Sequence, residues 1–283
     1  MIAITGATGQ LGHLVLNSLL AKVNASQIVA TARNPAKATE IAALGIVVRP
    51  ADYTDRASLE KAFAGVDKLL LISSNEIGKR YTQHANVIAA AKAAGVKLIV
   101  YTSLLHADTS PLSLADEHVQ TETALKASGL PYVILRNGWY TENYTGSIPV
   151  VLAESALHGS AGEGRIASAS RADYAEAAAV ALTKDVGTNV TYELAGDNAY
   201  TLADLAAEIS RQTGRKIPYV NLPEADYAAA LAKAGLPDGL AAAIASWGTG
   251  TGKGALYDNG HALSKLIGRP TTPLSVEVSK AIQ

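Results

Sequence analysis

Through the first 140 residues, short runs of aliphatic and β-branched side chains alternate with longer, Ala-rich stretches of helical spacing. The runs predict strands at Ile2–Thr5, Ile28–Ala32, Val47–Pro50, Lys68–Ser73, Lys97–Thr102 and Tyr132–Arg136. Roughly 20–35 residues separate their starts, room for one crossover helix each, as βαβ units in a parallel sheet require. A short buried strand and a buried helix segment look alike by periodicity; regular recurrence and flanking turn residues decide for strands. Punctuation marks the helices. Ser58 is the expected start of a helix through Phe63 with Gly65 beyond it, and Gly95 closes Ile88–Ala94, where a left-handed backbone costs glycine little. After about residue 140 the alternation loosens. A loop-like tract His158–Gly164, a helix Asp173–Thr183, a strand Val190–Leu194 and Ala-rich helices such as Tyr227–Ala234 and Gly239–Ala245 follow.

The first strand runs into Ile4-Thr5-Gly6-Ala7-Thr8-Gly9-Gln10-Leu11-Gly12, and a helix opens directly behind it. Glycines at this spacing between a strand and a helix have distinct tasks: one makes the tight turn, one lets a diphosphate approach the backbone, one allows close packing of the helix. The free amides and the dipole of that helix then hold negative charge. At the end of the second strand, where a site for unphosphorylated dinucleotide carries an acid, stands Arg33. A guanidinium forks onto a phosphate and accepts no ribose hydroxyl bond, so NADP(H) is the expected cofactor, with Lys37 a possible second charge. Asp52 and the Ser73-Ser74-Asn75 run lie at carboxyl ends of later strands, the rim where ligands of open α/β sheets bind.

Composition narrows the chemistry. In 283 residues, 24 basic side chains face 25 acidic ones, which gives no electrostatic footprint for nucleic acid or an anionic membrane. Apolar residues at 48% and charged ones at 17% describe a globular chain. The absence of cysteine removes disulfides, thiolate nucleophiles, iron–sulfur clusters and Cys-type zinc sites. No two of the six histidines sit three to five residues apart, so no metal site is expected. Without a leader or a long apolar run, the chain reads as soluble and cytoplasmic, monomeric or homodimeric.

Thr5–Gly12, then Arg33-Asn34-Pro35, Leu70–Ser74 and Leu135-Arg136-Asn137-Gly138-Trp139-Tyr140, in this order, resemble the NmrA-like group of atypical short-chain dehydrogenases/reductases, above all its bacterial quinone-reducing branch, with the triphenylmethane reductases near it. The likeness runs over nearly the whole chain, through Ile166–Tyr174 to Leu263–Gly268. It implies an α/β fold: a Rossmann-type doubly wound parallel sheet with a smaller, mostly helical C-terminal substrate lobe. The NADP-binding domain is expected over 1–150, rejoined by about 172–196, and the substrate lobe over 151–283. The activity implied is flavin-free hydride transfer from NADPH to a quinone-like acceptor. Cofactor residues carried over by the resemblance are Gly6, Ala7, Thr8, Gly9, Gln10, Leu11, Arg33, Ser73, Ser74 and Asn75. Acceptor residues are Asn137, Gly138, Trp139, Tyr140, Thr141 and Glu142, with Asn137 and Tyr140 as catalytic candidates. A dinucleotide-binding sensor without turnover, or a reductase of dye-like or polyketide-derived aromatics, would share these motifs.

One expected device is missing. Ordinary short-chain reductases protonate the new alkoxide with a Tyr whose pKa is lowered by a Lys four residues on. None of the 12 tyrosines has lysine at that spacing. On the helix after the fifth strand the two positions hold His118 and Glu122, a pair that shares one helix face and is read as structural or surface in preference to a proton relay. Ser103, Tyr140 and a backbone amide near Gly138 remain as alternative donors to a developing anion.

Overall fold

The structure, a computed structural model, describes all 283 residues. Its elements, in chain order, begin β1 (Ile2–Ile4), α1 (Gln10–Leu20), β2 (Ile28–Ala32), α2 (Thr39–Ala43), β3 (Val47–Pro50), α3 (Arg56–Ala62), β4 (Lys68–Leu71), α4 (Arg80–Ala93), β5 (Leu98–Leu104), α5 (Ala115–Ala127) and β6 (Tyr132–Asn137). They continue with α6 (Glu142–Thr145), α7 (Ile148–Glu154), β7 (Leu157–Gly159), α8 (Arg171–Thr183), β8 (Val190–Leu194), α9 (Leu202–Thr213), β9 (Tyr219–Asn221), α10 (Glu224–Lys233), α11 (Asp238–Gly252), α12 (Ala262–Ile267) and α13 (Leu274–Ile282).

Two compact units divide the chain. The first comprises Met1–Ala107, Asp116–Asn137 and Arg171–Tyr192, the second Asp108–Ala115, Gly138–Ser170 and Glu193–Gln283. The main crossing thus falls after Asn137 and not near 150, the chain returns over 171–192 in place of 172–196, and a short excursion at 108–115 joins the second unit. A change of unit inside a continuous chain leaves no Pro/Gly linker for the sequence to show.

The first unit is built on a seven-stranded sheet of order β3-β2-β1-β4-β5-β6-β8. The pairs from β3 through β6 are parallel. Strand order reverses between β1 and β4, the topological switch at which such sheets bind ligands. Successive side chains of a strand point to opposite faces, and here both faces are covered. Ala3, Leu69, Leu71, Ile99, Tyr101 and Ile134 share one core with Leu59, Phe63, Val87 and Ile88. Ile4, Leu70, Val100, Val133 and Leu135 are buried as well, and α1 and α8 pack on each other. Double coverage explains why these strands read as unbroken apolar runs. The helix start expected at Ser58 lies three residues earlier: Asp55 accepts hydrogen bonds from the Ala57 and Ser58 amides at 3.0 and 3.2 Å, and the Ser58 hydroxyl turns back onto the Asp55 carbonyl at 2.7 Å.

The second unit is mostly helical. Leu202, Leu205, Ala206 and Ile209 make the buried stripe of α9, α13 lies along α6, α7 and α9, and α10 pairs with α11. The tract read as loop at His158 holds a strand instead, β7, which pairs in parallel with β9. At three residues each, these strands are too short to show a period. No helix is long and apolar enough to cross a membrane.

Candidate functional site

Within the first unit, the glycine turn at the end of β1 has the features of a phosphate cradle. Thr5 ties it to the sheet, its hydroxyl donating to the Leu70 carbonyl at 3.0 Å and accepting the Ile72 amide at 3.1 Å. Gly6 has φ +60°, a conformation other residues adopt with strain. At Gly12 an added Cβ would lie 2.3 Å from the Gly6 carbonyl oxygen and 2.7 Å from the Ala7 Cα, so α1 starts directly against the turn and tolerates no side chain there. At Gly9 the corresponding contact is 3.3 Å. Gly9 caps α1 without a side chain, and no acid occupies the first turn. The first amides of a helix have no intrahelical acceptor, so those of Gln10, Leu11 and Gly12 and the positive end of the dipole are left for an anion. Gly6, Ala7, Thr8, Gln10 and Leu11 therefore fit a dinucleotide diphosphate, whereas the Gly9 amide is spent on the Gly6 carbonyl at 3.0 Å and Gly9 contributes only its missing side chain.

Arg33 stands just beyond β2, three-quarters exposed, its Nη1 3.8 Å from Glu76, which also lies 3.9 Å from Lys79. These separations exceed those of hydrogen-bonded ion pairs and leave the guanidinium available to a phosphate. Asp52 belongs to its own turn: it accepts from the Thr54 amide and hydroxyl at 2.8 and 2.7 Å, bonds that hold its carboxyl below the usual range.

The Ser73–Asn75 loop beyond β4 is held from beneath. The Tyr53 hydroxyl donates to the Ile72 carbonyl at 2.8 Å and the Ser73 amide to Thr102 Oγ1 at 2.9 Å. The Ser74 amide donates to His84 Nε2 at 2.9 Å, and Arg80 Nε donates to the Ser74 carbonyl at 2.6 Å. The residues at the Tyr-Lys positions are neither relay nor surface. His118 is buried with Nδ1 2.6 Å from the Tyr101 hydroxyl. Glu122 takes a forked pair of bonds from Arg136 at 2.9 and 2.8 Å and a third from the Ser103 hydroxyl at 2.6 Å. Burial pushes the Glu122 carboxyl up, and the bonds from Arg136 and Ser103 outweigh it, leaving the group below its ordinary value. The proton of Ser103 is committed to this carboxylate, which removes it as a donor to an anion. Asn137 is buried, and its Oδ1 has no hydrogen-bond partner. A buried amide oxygen without a partner is uncommon in native proteins.

The second unit holds a cavity of about 580 Å³, within the range of small-molecule sites. Trp139, Tyr144, Tyr227, Leu231, Ile244 and Trp247 are among the residues that wall it. The rings of Trp139 and Trp247 meet edge to face at 5.8 Å, and the Trp247 indole donates to Ser113 Oγ at 3.2 Å. Glu154 and His158 supply polar groups, paired at 3.2 Å. Of the expected acceptor residues in this unit, only Trp139 faces the cavity. The Gly138 amide donates to the Leu194 carbonyl at 2.7 Å and is unavailable to an anion. Tyr140, partly exposed, bridges to Ala169 through its backbone. Thr141 is buried on Ser168 at 2.9 Å, and Glu142 opens α6. Tyr144, Tyr227 and Trp247 were missed, since nothing in their spacing links them to Trp139. A comparable depression along Arg211 and Lys280 is open, and its cations are already paired with Glu208 and Glu277 at 2.6 Å.

Residues 6–185 match a family model described as NAD(P)H-binding. Quinone oxidoreductase 2 of Escherichia coli strain K12 is 61% identical over 279 residues, 99% of this chain and 98% of that protein. The crystal structure of NADPH-dependent quinone oxidoreductase QOR2 from E. coli complexed with NADPH superposes with a TM-score of 0.98 at 60% identity, over 100% of both chains. That of the Citrobacter sp. triphenylmethane reductase complexed with NADP(H) superposes with 0.96 at 40% identity, over 99% of this chain and 100% of that one.

Proposed function

The chain belongs to the NAD(P)H-binding, NmrA-like family, and from that premise we propose that it is a flavin-free, NADPH-dependent reductase of quinones or similar conjugated acceptors. The observation that carries the acceptor class is the fate of His118 and Glu122, both spent in buried hydrogen bonds where an ordinary reductase keeps its proton donor. An acceptor whose own ring stabilises the product anion has little use for such a donor. An alkoxide compares in basicity with hydroxide, whose conjugate acid has a pKa of about 15.7, and a phenolate with tyrosinate, at about 10. At about 1.36 kcal/mol per unit, the difference is roughly 8 kcal/mol supplied by the quinone itself.

NADPH, when bound, supplies the hydride. The glycine turn and the free amides of Gln10, Leu11 and Gly12 at the N-terminus of α1 would hold its diphosphate, Arg33 would take the 2′-phosphate, and the Ser73–Asn75 loop would meet the ribose and nicotinamide side. Trp139 and Trp247 wall a flat acceptor and exclude water, which strengthens the hydrogen bonds offered inside. Asn137, through the Nδ2 end of its carboxamide, is the first candidate to donate to the developing oxyanion, its unpartnered Oδ1 being an acceptor, and Tyr140 the second. We place the reaction in the cytoplasm, carried out by a monomer or homodimer with no part for nucleic acid.

Mixing the flavin-free protein with NADPH and a panel of simple quinones, while following nicotinamide absorbance, tests the proposal. NADPH oxidation that depends on quinone and weakens in Asn137→Ala is the expected result. Tight NADPH binding without turnover of any acceptor would overturn it in favour of a dinucleotide sensor.

A further inference from the structure

Two helices of the first unit each present a pair of polar residues one turn apart, Arg80 and His84 on α4, Glu117 and Thr121 on α5. Residues four apart share a helix face, and these four converge beneath the Ser73–Asn75 loop. His84 is fully buried. Its Nε2 accepts the Ser74 amide, so the proton of the neutral ring must sit on Nδ1, which faces Thr121 Oγ1 at 3.0 Å. The Thr121 hydroxyl in turn gives its own proton to the Glu117 carbonyl at 2.7 Å. The chain therefore has one direction: Ser74 amide to His84, His84 to Thr121, Thr121 to Glu117. Burial, reinforced by the Arg80 charge, holds the imidazole near a pKa of about 3, so the neutral tautomer persists across physiological pH.

The other members of the cluster fasten the same segment. Arg80 Nε holds the Ser74 carbonyl at 2.6 Å, so the peptide groups on both sides of Ser74 are fixed. The Glu117 carboxylate accepts the amides of Gly78 and Tyr81 at 3.0 and 3.2 Å, capping α4, which has no side-chain cap of its own. Thr102 Oγ1 accepts the Ser73 amide at 2.9 Å as a further tether of the loop.

We propose that His84 is a positioning residue for the dinucleotide, acting through the Ser74 peptide. The inference rests on the reading that the Ser73–Asn75 loop meets the cofactor. A buried amide deprived of its acceptor is unfavourable. Without His84 the Ser74 peptide loses the acceptor that fixes its orientation. A clamped loop also binds without first having to be ordered. His84 touches neither cofactor nor acceptor in this account; its effect falls on NADPH binding and spares the acceptor.

Two substitutions test this in the full-length protein. His84→Leu removes the acceptor, and His84→Gln restores one at the reach of Nε2. The expected results are a NADPH Kd raised about tenfold in His84→Leu, or about 1.4 kcal/mol, a return to within about threefold of wild type in His84→Gln, and a quinone KM at saturating NADPH that is unchanged in both. His84→Leu binding NADPH like wild type, with only its melting temperature lowered, would overturn the proposal and leave a packing role. Gln failing to rescue binding would also overturn it. Should His84→Leu not fold, Thr121→Val frees the tautomer with little change of shape. A threefold rise in NADPH Kd is expected there, and wild-type binding contradicts the inference. Hydrogen exchange of wild-type peptides spanning 72–76 separates the underlying reading: no response to NADPH refutes the loop as a cofactor contact, whereas a response together with unaltered binding in the His84 variants refutes the positioning role alone.

Discussion

The first unit buries charge and hydrogen-bonding groups and pairs most of them, Asn137 Oδ1, Gln83 Oε1 and Arg80 Nη1 being without a partner. Arg136 forks onto Glu122, His118 meets Tyr101, and His84 holds the Ser74 amide. The second unit surrounds its cavity mainly with indoles, phenols and aliphatic side chains, the paired Glu154 and His158 standing among its polar groups. The contrast follows from what each is proposed to hold. A dinucleotide carries charges at fixed separations and is recognised by groups that cannot move, whereas a flat conjugated acceptor offers mostly area and is recognised by walls that exclude water. The sharpest way to break this contrast is to find that damage to one side shifts the properties ascribed to the other.

The largest effect is expected at Glu122. Replacing it by Leu removes the carboxylate onto which Arg136 forks, and breaking a buried pair from one side destabilises by about 3–5 kcal/mol; urea unfolding should show this, and a loss below about 1 kcal/mol would contradict it. Next comes Gly12→Ala, whose Cβ would meet backbone at 2.3 Å. NADPH affinity should fall at least about hundredfold, roughly 2.7 kcal/mol, while Gly9→Ala, with 3.3 Å available, should cost less than about tenfold. Isothermal titration of the two variants compares them directly. On the acceptor side, Trp139→Ala is expected to lower kcat/KM for a naphthoquinone by about tenfold, on the order of 1.4 kcal/mol, without altering the NADPH Kd.

A further effect, comparable in size with that at Glu122, concerns pH. His84 is held near a pKa of about 3 and His118 well below its ordinary value, in both cases by burial first and the Arg80 charge second. Unfolded, each titrates near 6.5 (~). Because the folded values are depressed, the unfolded chain binds more protons as pH falls. Stability present above about 6.5 is therefore lost below it, at about 1.4 kcal/mol per pH unit for each histidine. Denaturation midpoints between pH 7 and 5 should show that slope, and His118→Phe should make it shallower.

The unequal legibility of the two units in the sequence has the same origin as their contrast. The glycine turn, Arg33 and the strands are local features: each announces itself within a dozen residues, and the double coverage of the sheet writes β4 as an unbroken Leu run. The buried seam is assembled from α4, α5, β5 and β6, and nothing in the spacing of His84 or Glu117 shows which residues they meet. The cavity is harder still. Trp139 and Trp247 are far apart in the chain, and an indole that walls a cavity looks in sequence like one that fills a core. Ser103 and the Gly138 amide read in sequence as anion donors, and only the fold shows their protons spent on Glu122 and on the Leu194 carbonyl.

The most direct test of the central claim, that the cofactor and the acceptor are recognised by separate units through opposite chemistry, is a steady-state comparison of Arg33→Ala and Trp139→Ala with both substrates varied. Arg33→Ala should raise the KM for NADPH about tenfold while leaving that for NADH and for quinone in place, the free-energy change being about 1.4 kcal/mol. Trp139→Ala should move the quinone constant alone. If both variants shift the same constant, or Arg33→Ala weakens NADH as much as NADPH, the division of labour described here is wrong.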